Sequence, residues 1–512
     1  MEHASRRRLS FTVEVDAPED QPVDATRADA LLTVRARLAD EAPEGGGVPD
    51  GDVLDGSREA AGRAAGQGQG PGRAEVLIMD RSQSMAASGK LGEAKKAVTA
   101  AIDTLRDGTL LGIVAGDHTA TVIYPPAGRP LAPVDQHVRQ HAKHQVAAQV
   151  AQGGTRIGSW LTRARDLFDG SAGPDTVCHA VLYTDGKNEH ETPEQLADAV
   201  RGCADRFTCD ARGLGDNWHY KVVRAVAEGL HGSAEAVVDI PDLTADFVGL
   251  MREAQRLVMP RLYLSLHLTD RFDLGTVQQT RPVQVDLTDQ RQRRGAEIHV
   301  PLGAWAPDTR QYQVSLTFEA DSLPLYQRVQ AATLTLRAEA APGQDDRPAC
   351  TAEHALIVKR RPDEAFEIPA SANLTRLESE RELRSAMQGC ADAHERRERV
   401  LADAMLRQAL RIAEQLDDAR RLNLLRGAAQ AGPDGLPVVR PDVPRGLMQQ
   451  IGLDATRTGP APEEALVDAD PHGDGGSGSD TGTCPKCHRP LVARDAKFCE
   501  VCGPIPLPGA PS

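Results

Sequence analysis

The most informative stretch of the sequence is a run of apolar residues that ends on a carboxylate followed by two hydroxyls. Residues 76–79 are four consecutive apolar residues, a pattern typical of a strand buried on both faces in a parallel sheet. Asp80 follows directly, and Ser82 and Ser84 come at alternate positions after it. Carboxylate and hydroxyl oxygens are hard ligands that suit Mg²⁺. The sequence therefore predicts a magnesium site just beyond the end of this strand.

Two later stretches supply further oxygen ligands. Thr155 follows two glycines between two predicted helices, and a second apolar strand ends on Asp185 at a glycine turn. In an open α/β sheet, ligands bind outside the carboxyl ends of the strands, so we expect these side chains to converge. The alternative is that Asp80 and Ser82 only cap the next helix, since Asp and Ser are favoured N-caps. Capping accounts for neither Thr155 nor Asp185.

The pattern D-x-S-x-S, then a threonine loop, then T-D-G resembles the metal-ion-dependent adhesion site (MIDAS) of von Willebrand factor A (VWA) domains. The resemblance implies that Ser82 and Ser84 bind the metal directly and that Thr155 binds it directly or through water. It implies that Asp80 and Asp185 hold waters on the metal. An acidic side chain of a partner protein would fill the open position on Mg²⁺, or on Mn²⁺ in its place.

Two residues depart from the family pattern. Arg81 and Gln83 are larger than the small residues common between these ligands. We expect them to narrow access to the metal or to change which partner fits.

The elements that must position the predicted ligands alternate between strand and helix. Six strands with amphipathic helices between them are predicted at residues 75–80, 110–115, 119–124, 177–184, 207–213 and 234–240. This alternation predicts a doubly wound, mostly parallel α/β sheet. We assign residues 74–260 to the VWA domain.

Antiparallel strands are predicted on both sides of the VWA domain. From residue 261 apolar and polar residues alternate, which predicts a β-sandwich over residues 261–360. Two strands of the same character lie within residues 1–42, and residues 43–73 have the composition of a flexible linker. We expect residues 1–42 to complete the sandwich, so that the VWA domain is an insertion in it.

The carboxyl-terminal part of the chain is predicted to be helical and then disordered. Residues 361–430 carry an apolar seam at helical spacing, which is more often packed on its own domain than paired in a coiled coil. Residues 431–483 are dominated by Pro, Gly, Asp and Ser, and this composition predicts a disordered linker.

Four cysteines form a second strong motif at residues 484–503. The two C-x-x-C pairs, Cys484 with Cys487 and Cys499 with Cys502, predict a closed tetrahedral Zn²⁺ site of the structural kind. The segment is too short to fold on a core of its own, so the metal would supply the folding free energy. It resembles the short zinc ribbons of bacterial regulatory proteins. A redox role for either pair and contact with nucleic acid stay open as alternatives to a protein contact.

Composition limits the classes of partner and the compartment. The formal net charge of -15, from 59 basic and 74 acidic residues, discourages nonspecific binding to nucleic acid or to anionic membranes. The amino terminus has no apolar run, and no stretch is apolar enough to span a membrane. The five other cysteines are scattered, as expected of reduced thiols. We therefore expect a cytoplasmic protein.

The expected function is that of an intracellular scaffold that binds a partner protein through Mg²⁺. The resemblance extends to bacterial VWA proteins encoded beside kinases and phosphatases in tellurite-resistance-like systems, which implies a regulatory or stress-response complex with such components. We do not expect an enzyme, because no general base is visible beyond Asp80 and Asp185. The alternatives are a nucleic-acid-associated regulator that acts through the ribbon and a metal-dependent hydrolase.

Overall fold

The computed structural model describes most of the chain and divides it into two units, residues 1–459 and 460–512. The described ranges are residues 9–38, 72–237, 240–338, 347–350, 352–361, 371–458, 498–499 and 503–504. Most of the predicted linker at 43–73 lies outside them. The side chains of the ribbon cysteines Cys484, Cys487, Cys499 and Cys502 also lie outside the described residues. The predicted zinc site therefore stays a prediction.

The strands follow one another along the chain in three groups. Those before and within the α/β region are β1 (Leu9–Asp16), β2 (Asp20–Pro22), β3 (Arg27–Leu38), β4 (Arg73–Asp80), β5 (Leu110–Gly116), β6 (Ala120–Tyr124), β7 (Ala132–Pro133), β8 (Val177–Thr184), β9 (Thr208–Leu214) and β10 (Ala234–Val237). The next group is β11 (Leu262–Leu268), β12 (Phe272–Arg281), β13 (Val285–Asp286), β14 (Gln292–Arg294), β15 (Glu297–Pro301), β16 (Asp308–Phe318), β17 (Val329–Ala338), β18 (Arg347–Pro348) and β19 (His354–Arg361). The last are β20 (Ala429–Ala431), β21 (Pro437–Val439), β22 (Phe498–Cys499) and β23 (Gly503–Pro504).

Ten α-helices lie in the described part of the chain, six in the α/β region and four after residue 371. They are α1 (Lys90–Thr104), α2 (Gln136–Ala147), α3 (Ile157–Asp169), α4 (Pro193–Cys203), α5 (Tyr220–Gly229), α6 (Leu243–Ala254), α7 (Ala372–Glu395), α8 (Arg399–Gln415), α9 (Ala419–Ala428) and α10 (Arg445–Asp454). A 3-10 helix, Gln83–Gly89, precedes α1. None of the described helices is both long and apolar enough to cross a membrane.

The α/β region is organised around a seven-stranded sheet. Its strand order is β10-β9-β8-β4-β5-β6, and β7 pairs with β5 beside β6. The pairs from β10 to β5 are parallel, whereas β6 and β7 run antiparallel to β5. Every residue of β8 is buried, because helices cover both faces of the sheet. The predicted α/β fold is confirmed.

Two mostly antiparallel sheets enclose a second hydrophobic core. One has the order β1-β3-β16-β12-β13, and the other has the order β14-β15-β11-β17-β19-β2 with β18 beside β17. Residues of both sheets, among them Leu32 and Leu264, belong to one core. β3 pairs antiparallel with β16, and β2 pairs parallel with β19. The chain therefore passes through this two-sheet domain both before and after the α/β region.

The helices α7 to α10 form a helical segment that packs on both other parts. The buried ion pair of Arg281 with Glu380, at 2.7 Å, joins β12 to α7. The Tyr220 hydroxyl at the start of α5 donates a hydrogen bond to Asp392 of α7 at 2.6 Å. Ala409 and Ile412, which belong to the predicted apolar seam, are buried in a hydrophobic core that the helical segment shares with the α/β region.

The prediction that residues 431–483 form a disordered linker is wrong as far as residue 458. Residues 437–439 form β21 and residues 445–454 form α10. Met448, Ile451 and Leu453 of α10 are buried in a core shared with the α/β region. The high content of Pro and Gly in this stretch concealed a short helix that packs against α5, α7, α9 and β10.

Candidate metal centre

Asp80 is the last residue of β4, in the middle of the sheet, and its carboxylate is 0% exposed. One carboxylate oxygen accepts a hydrogen bond from the Ser82 backbone N–H at 2.7 Å, and the other accepts one from the Thr184 hydroxyl at 2.6 Å. Burial raises the pKa of Asp80 to about 6, although the hydrogen bonds from Thr184 and Ser82 oppose the rise. A nearby cation favours the ionised form, so the site is suited to a bound metal ion.

The two predicted serine ligands lie beside each other and reach the second predicted carboxylate. The Ser82 and Ser84 hydroxyl oxygens are 2.9 Å apart. Ser84 donates a hydrogen bond to Asp185 at 2.6 Å. Ser82 precedes the 3-10 helix, but its side chain makes no capping hydrogen bond to that helix. Helix capping therefore does not explain the position of Ser82.

The Thr155 loop is held against the loop that follows β4. Gln83 donates a backbone hydrogen bond to Gly153 at 2.9 Å, and Gln152 donates one to Arg81 at 2.7 Å. A Cβ atom added to Gly186 would lie 2.6 Å from the Thr155 hydroxyl oxygen and 3.5 Å from that of Ser84. The loops after β4 and β8 and the loop before α3 thus meet at one point. The structure brings together all the predicted ligands: Asp80, Ser82, Ser84, Thr155 and Asp185.

Lys90 also belongs to the site, and the sequence did not indicate it. Its ammonium group donates to the carboxylate of Asp185 at 2.6 Å, and the lysine side chain is only 9% exposed. This ion pair partly neutralises Asp185. A lysine at the start of an amphipathic helix is usually solvated, so the pattern around residue 90 carried no signal of this contact.

Arg81 does not narrow the cleft as expected. Its guanidinium group forms an ion pair with Asp117 at 2.9 Å and donates a hydrogen bond to Gln149 at 2.8 Å. Burial tends to raise the pKa of Asp117, but the hydrogen bonds from Thr119 and the charge of Arg81 outweigh burial and lower it. Arg81 therefore fastens neighbouring loops together. Gln83, in contrast, is one of the residues that line the cleft.

The cleft above the ligands has a volume of about 370 Å³. Its polar lining also includes Lys187, Glu189, Asn217 and Arg445, none of which was predicted. In the described part of the chain, no three His, Cys, Asp or Glu side chains converge as a metal-ligand set. The donors here are instead two carboxylates and three hydroxyls, an all-oxygen set that fits a hard cation such as Mg²⁺.

Comparison with known proteins identifies the α/β region. Residues 75–236 match the family model described as "von Willebrand factor type A domain", so the chain contains a VWA domain. The structure titled "von Willebrand factor type A from Catenulispora acidiphila" is 26% identical, with 90% of this chain and 99% of that chain covered and a TM-score of 0.77. A search of curated proteins found no match.

A second solved structure shares the fold alone. The ArnB paralog VWA2 from Sulfolobus acidocaldarius is 12% identical, covers 87% of this chain and 98% of its own, and has a TM-score of 0.50. Since both solved structures cover most of this chain, the likeness extends beyond the VWA domain to the parts around it.

Proposed function

We propose that the protein is a cytoplasmic adaptor, not an enzyme, that binds a partner protein through a Mg²⁺ ion at this centre. VWA domains generally mediate protein–protein interactions through a metal site of this kind. This chain contains a VWA domain. The observation that carries the proposal is the convergence of five oxygen-bearing side chains from three loops in an open cleft.

Each residue of the centre has a distinct part in this proposal. Ser82 and Ser84 would hold the ion directly, and Thr155 directly or through water. Asp80 and Asp185 would hold waters on it, each kept in place by the hydrogen bonds described above. The ion would supply a positive charge that accepts a carboxylate from the partner. An open cleft leaves room for that side chain.

The setting of the adaptor is a part of the same proposal. All five cysteines outside the ribbon are unpaired, which fits a reducing compartment. The partner would be a component of a regulatory or stress-response complex, such as a kinase or a phosphatase. The zinc ribbon at Cys484, Cys487, Cys499 and Cys502 would add a second contact surface.

The test measures metal binding and partner binding separately. Calorimetric titration with Mg²⁺ or Mn²⁺ should show one binding event at the centre in the wild type and none in Asp80→Ala/Ser82→Ala. Proteins retained from the native cytosol should be lost with the same variant. Chelation by EDTA is a less specific test than the double variant, because EDTA can also remove zinc from the ribbon. Retention of the same proteins by wild type and variant would refute the proposal.

A substitution of Lys90 tests whether the Mg²⁺ ion detected by titration binds beside Asp185. Replacing a cation beside Asp185 by a neutral side chain removes charge repulsion toward a divalent ion, so Lys90→Met should tighten Mg²⁺ binding by roughly tenfold or more. Lys96→Met is the matched control, because Lys96 lies on the same helix with its side chain 69% exposed. Equal affinities in the two variants would place the metal elsewhere.

A further inference from the structure

A second cleft of about 670 Å³ opens beside the metal centre, between the VWA domain and the helical segment. It shares two lining residues, Lys187 and Arg445, with the cleft above the metal ligands. The two clefts are therefore adjacent. We call the larger one the basic groove and define it by its cationic lining residues Lys187, Arg397, Arg399, Arg440 and Arg445.

The charges of the basic groove are largely unpaired. Lys187, Arg397, Arg399 and Arg440 have no ion-pair partner in the part of the chain that the structure describes. Glu395 is the one acidic lining residue, and it already contacts His219 at 2.9 Å and Arg445 at 3.5 Å. In a protein whose formal net charge is -15, five cations around one cleft concentrate positive potential there.

The Nε atom of Arg440 shows that the protein does not satisfy every donor of this arginine. This atom is buried but has no hydrogen-bond partner among the described residues. Arg440 therefore keeps a free hydrogen-bonding capacity, and guanidinium groups form their strongest hydrogen bonds with carboxylates.

Arg397 holds its place against the local preference of the backbone. It has φ 62° and lies two residues after the end of α7. There the Glu398 N–H donates to the Ala393 carbonyl at 2.8 Å, and the Arg397 N–H donates to the His394 carbonyl at 3.0 Å. Glycine is the favoured residue at this position because it has no Cβ to strain. Replacing Arg397 by glycine would therefore relieve the backbone while removing one charge from the groove.

We propose that the basic groove binds an acidic segment of the partner protein, one carboxylate of which reaches the adjacent metal centre; this rests on the proposed function above. Side chains of Asp and Glu along an extended segment would pair with the arginines, and charge-assisted hydrogen bonds would fix the direction of the segment. Val400, 83% exposed, and Leu401, 41% exposed, follow Arg399 and offer an apolar contact beside these charges.

The lining favours an acidic peptide over a nucleic acid. Single-stranded nucleic acids are held by aromatic side chains on which bases stack, as well as by a basic track. No Phe, Tyr or Trp lines the groove, and its aromatic residue is His394. The groove thus has the charges of a nucleic-acid site without its stacking platforms.

The test uses the full-length protein in Mg²⁺ and a fluorescein-labelled decaglutamate peptide, with binding followed by fluorescence anisotropy. The groove variant Arg397→Gln/Arg399→Gln/Arg440→Gln should bind the peptide roughly tenfold or more weakly than the wild type. The control Arg163→Gln/Arg252→Gln/Arg411→Gln removes the same charge from three exposed arginines outside the groove and should bind like the wild type. A labelled decaglutamine peptide should not bind.

The readouts separate this inference from the proposed function. Calorimetric titration should show unchanged Mg²⁺ binding in the groove variant, so a loss of peptide binding there is a loss at the groove. Peptide binding that is equal in the groove and control variants, or absent from the wild type, would overturn the inference and leave the metal proposal standing. Displacement of the peptide by a lower concentration of oligothymidylate than of unlabelled decaglutamate would also overturn it, in favour of nucleic acid.

A single substitution tests whether misfolding, and not the loss of charge, causes a loss of peptide binding. Arg397→Gly removes one charge from the groove while relieving the left-handed conformation at residue 397. Its thermal midpoint should equal or exceed that of the wild type, and its peptide affinity should fall. An unchanged affinity in this variant and in the groove variant would contradict the inference.

Discussion

His179 is a buried histidine held between two carboxylates in the sheet of the VWA domain. Its Nδ1 lies 2.6 Å from the Glu75 carboxylate on β4, and its Nε2 lies 2.9 Å from the Asp210 carboxylate on β9. Burial by itself would lower the pKa of His179, but the negative charges of Glu75 and Asp210 outweigh it and raise the pKa to about 10. The histidine is therefore charged at neutral pH and binds three strands together.

His179→Gln should lower the free energy of unfolding by roughly 3–5 kcal/mol at pH 7, because it leaves two buried carboxylates without their cation. The folded-state pKa of about 10 lies above the unfolded-state value of about 6.5. The stabilisation is thus fully present below about pH 6.5 and is lost as the pH rises through about 10. Urea unfolding of wild type and variant at several pH values between these limits should show a shrinking difference.

The exposed His267 on β11 is the control for this series. His267→Gln should change the free energy of unfolding by no more than about 0.5 kcal/mol at every pH. A difference for His179→Gln that stays constant from neutral to alkaline pH would mean that the buried histidine is neutral.

Among the elements, α10 is the one that connects the helical segment with the metal centre. A Cβ on Gly446 would lie 2.6 Å from the Asp216 carboxylate in the loop after β9, and a Cβ on Gly452 would lie 2.7 Å from the Tyr220 ring. The Gln449 side chain accepts a hydrogen bond from the Tyr220 backbone N–H at 2.8 Å. Glycines at both contacts let α10 approach closely, and this approach places Arg445 at the cleft.

The same substitution in two helices should therefore have opposite effects. Gly452→Ala should lower the free energy of unfolding by about 1–3 kcal/mol, because the methyl group would overlap the Tyr220 ring. Gly249→Ala in α6 should raise it by about 0.5–1 kcal/mol, since nothing lies within 4 Å of the added atom and alanine favours a helix. Urea unfolding measures both.

Hydrogen exchange measurements would show which part of the protein Gly452→Ala destabilises. In Gly452→Ala, backbone amides of α10 and of the start of α5 should exchange faster than in the wild type. Two variants of equal stability would show that α10 is not held against Tyr220 in solution.

At the scale of the whole molecule, the main feature is that the two-sheet domain is built from strands that lie before and after the VWA domain in the sequence. β3 lies between β1 and β16, and its Leu32 and Val34 are fully buried in the common core. The segments that form this core are separated in sequence by the entire VWA domain. The domain therefore closes only when distant parts of the chain meet, which is a slow, non-local step in folding.

Removal of residues 1–42 should destroy the two-sheet domain. The truncated chain loses β1, β2 and β3, which leaves β16 and β19 as unpaired edge strands and opens the common core. We expect aggregation, or rapid proteolysis of residues 261–361, in limited digestion followed by mass spectrometry. Removal of residues 460–512, a separate unit, is the control and should leave the digestion pattern of the rest unchanged. A soluble, protease-resistant chain lacking residues 1–42 would contradict the common core.

The sequence by itself determined the α/β fold of the VWA domain and pointed to the oxygen ligands. Asp80 and Asp185 each follow an apolar strand directly, and parallel strands carry their carboxyl ends to one edge of a sheet. The local sequence pattern was therefore sufficient to predict that these two carboxylates lie close together, because the geometry of a parallel sheet determines where its strands end.

Only the tertiary structure decided which other residues join the site. Lys90 at the start of α1 reaches Asp185 after β8, and Arg397 and Arg445 reach the basic groove, because elements distant in the sequence pack together. Periodicity within a helix identifies an apolar face but not its neighbour. The same reason explains why α10 was taken for a linker: its stability comes from the surface of the VWA domain that it covers.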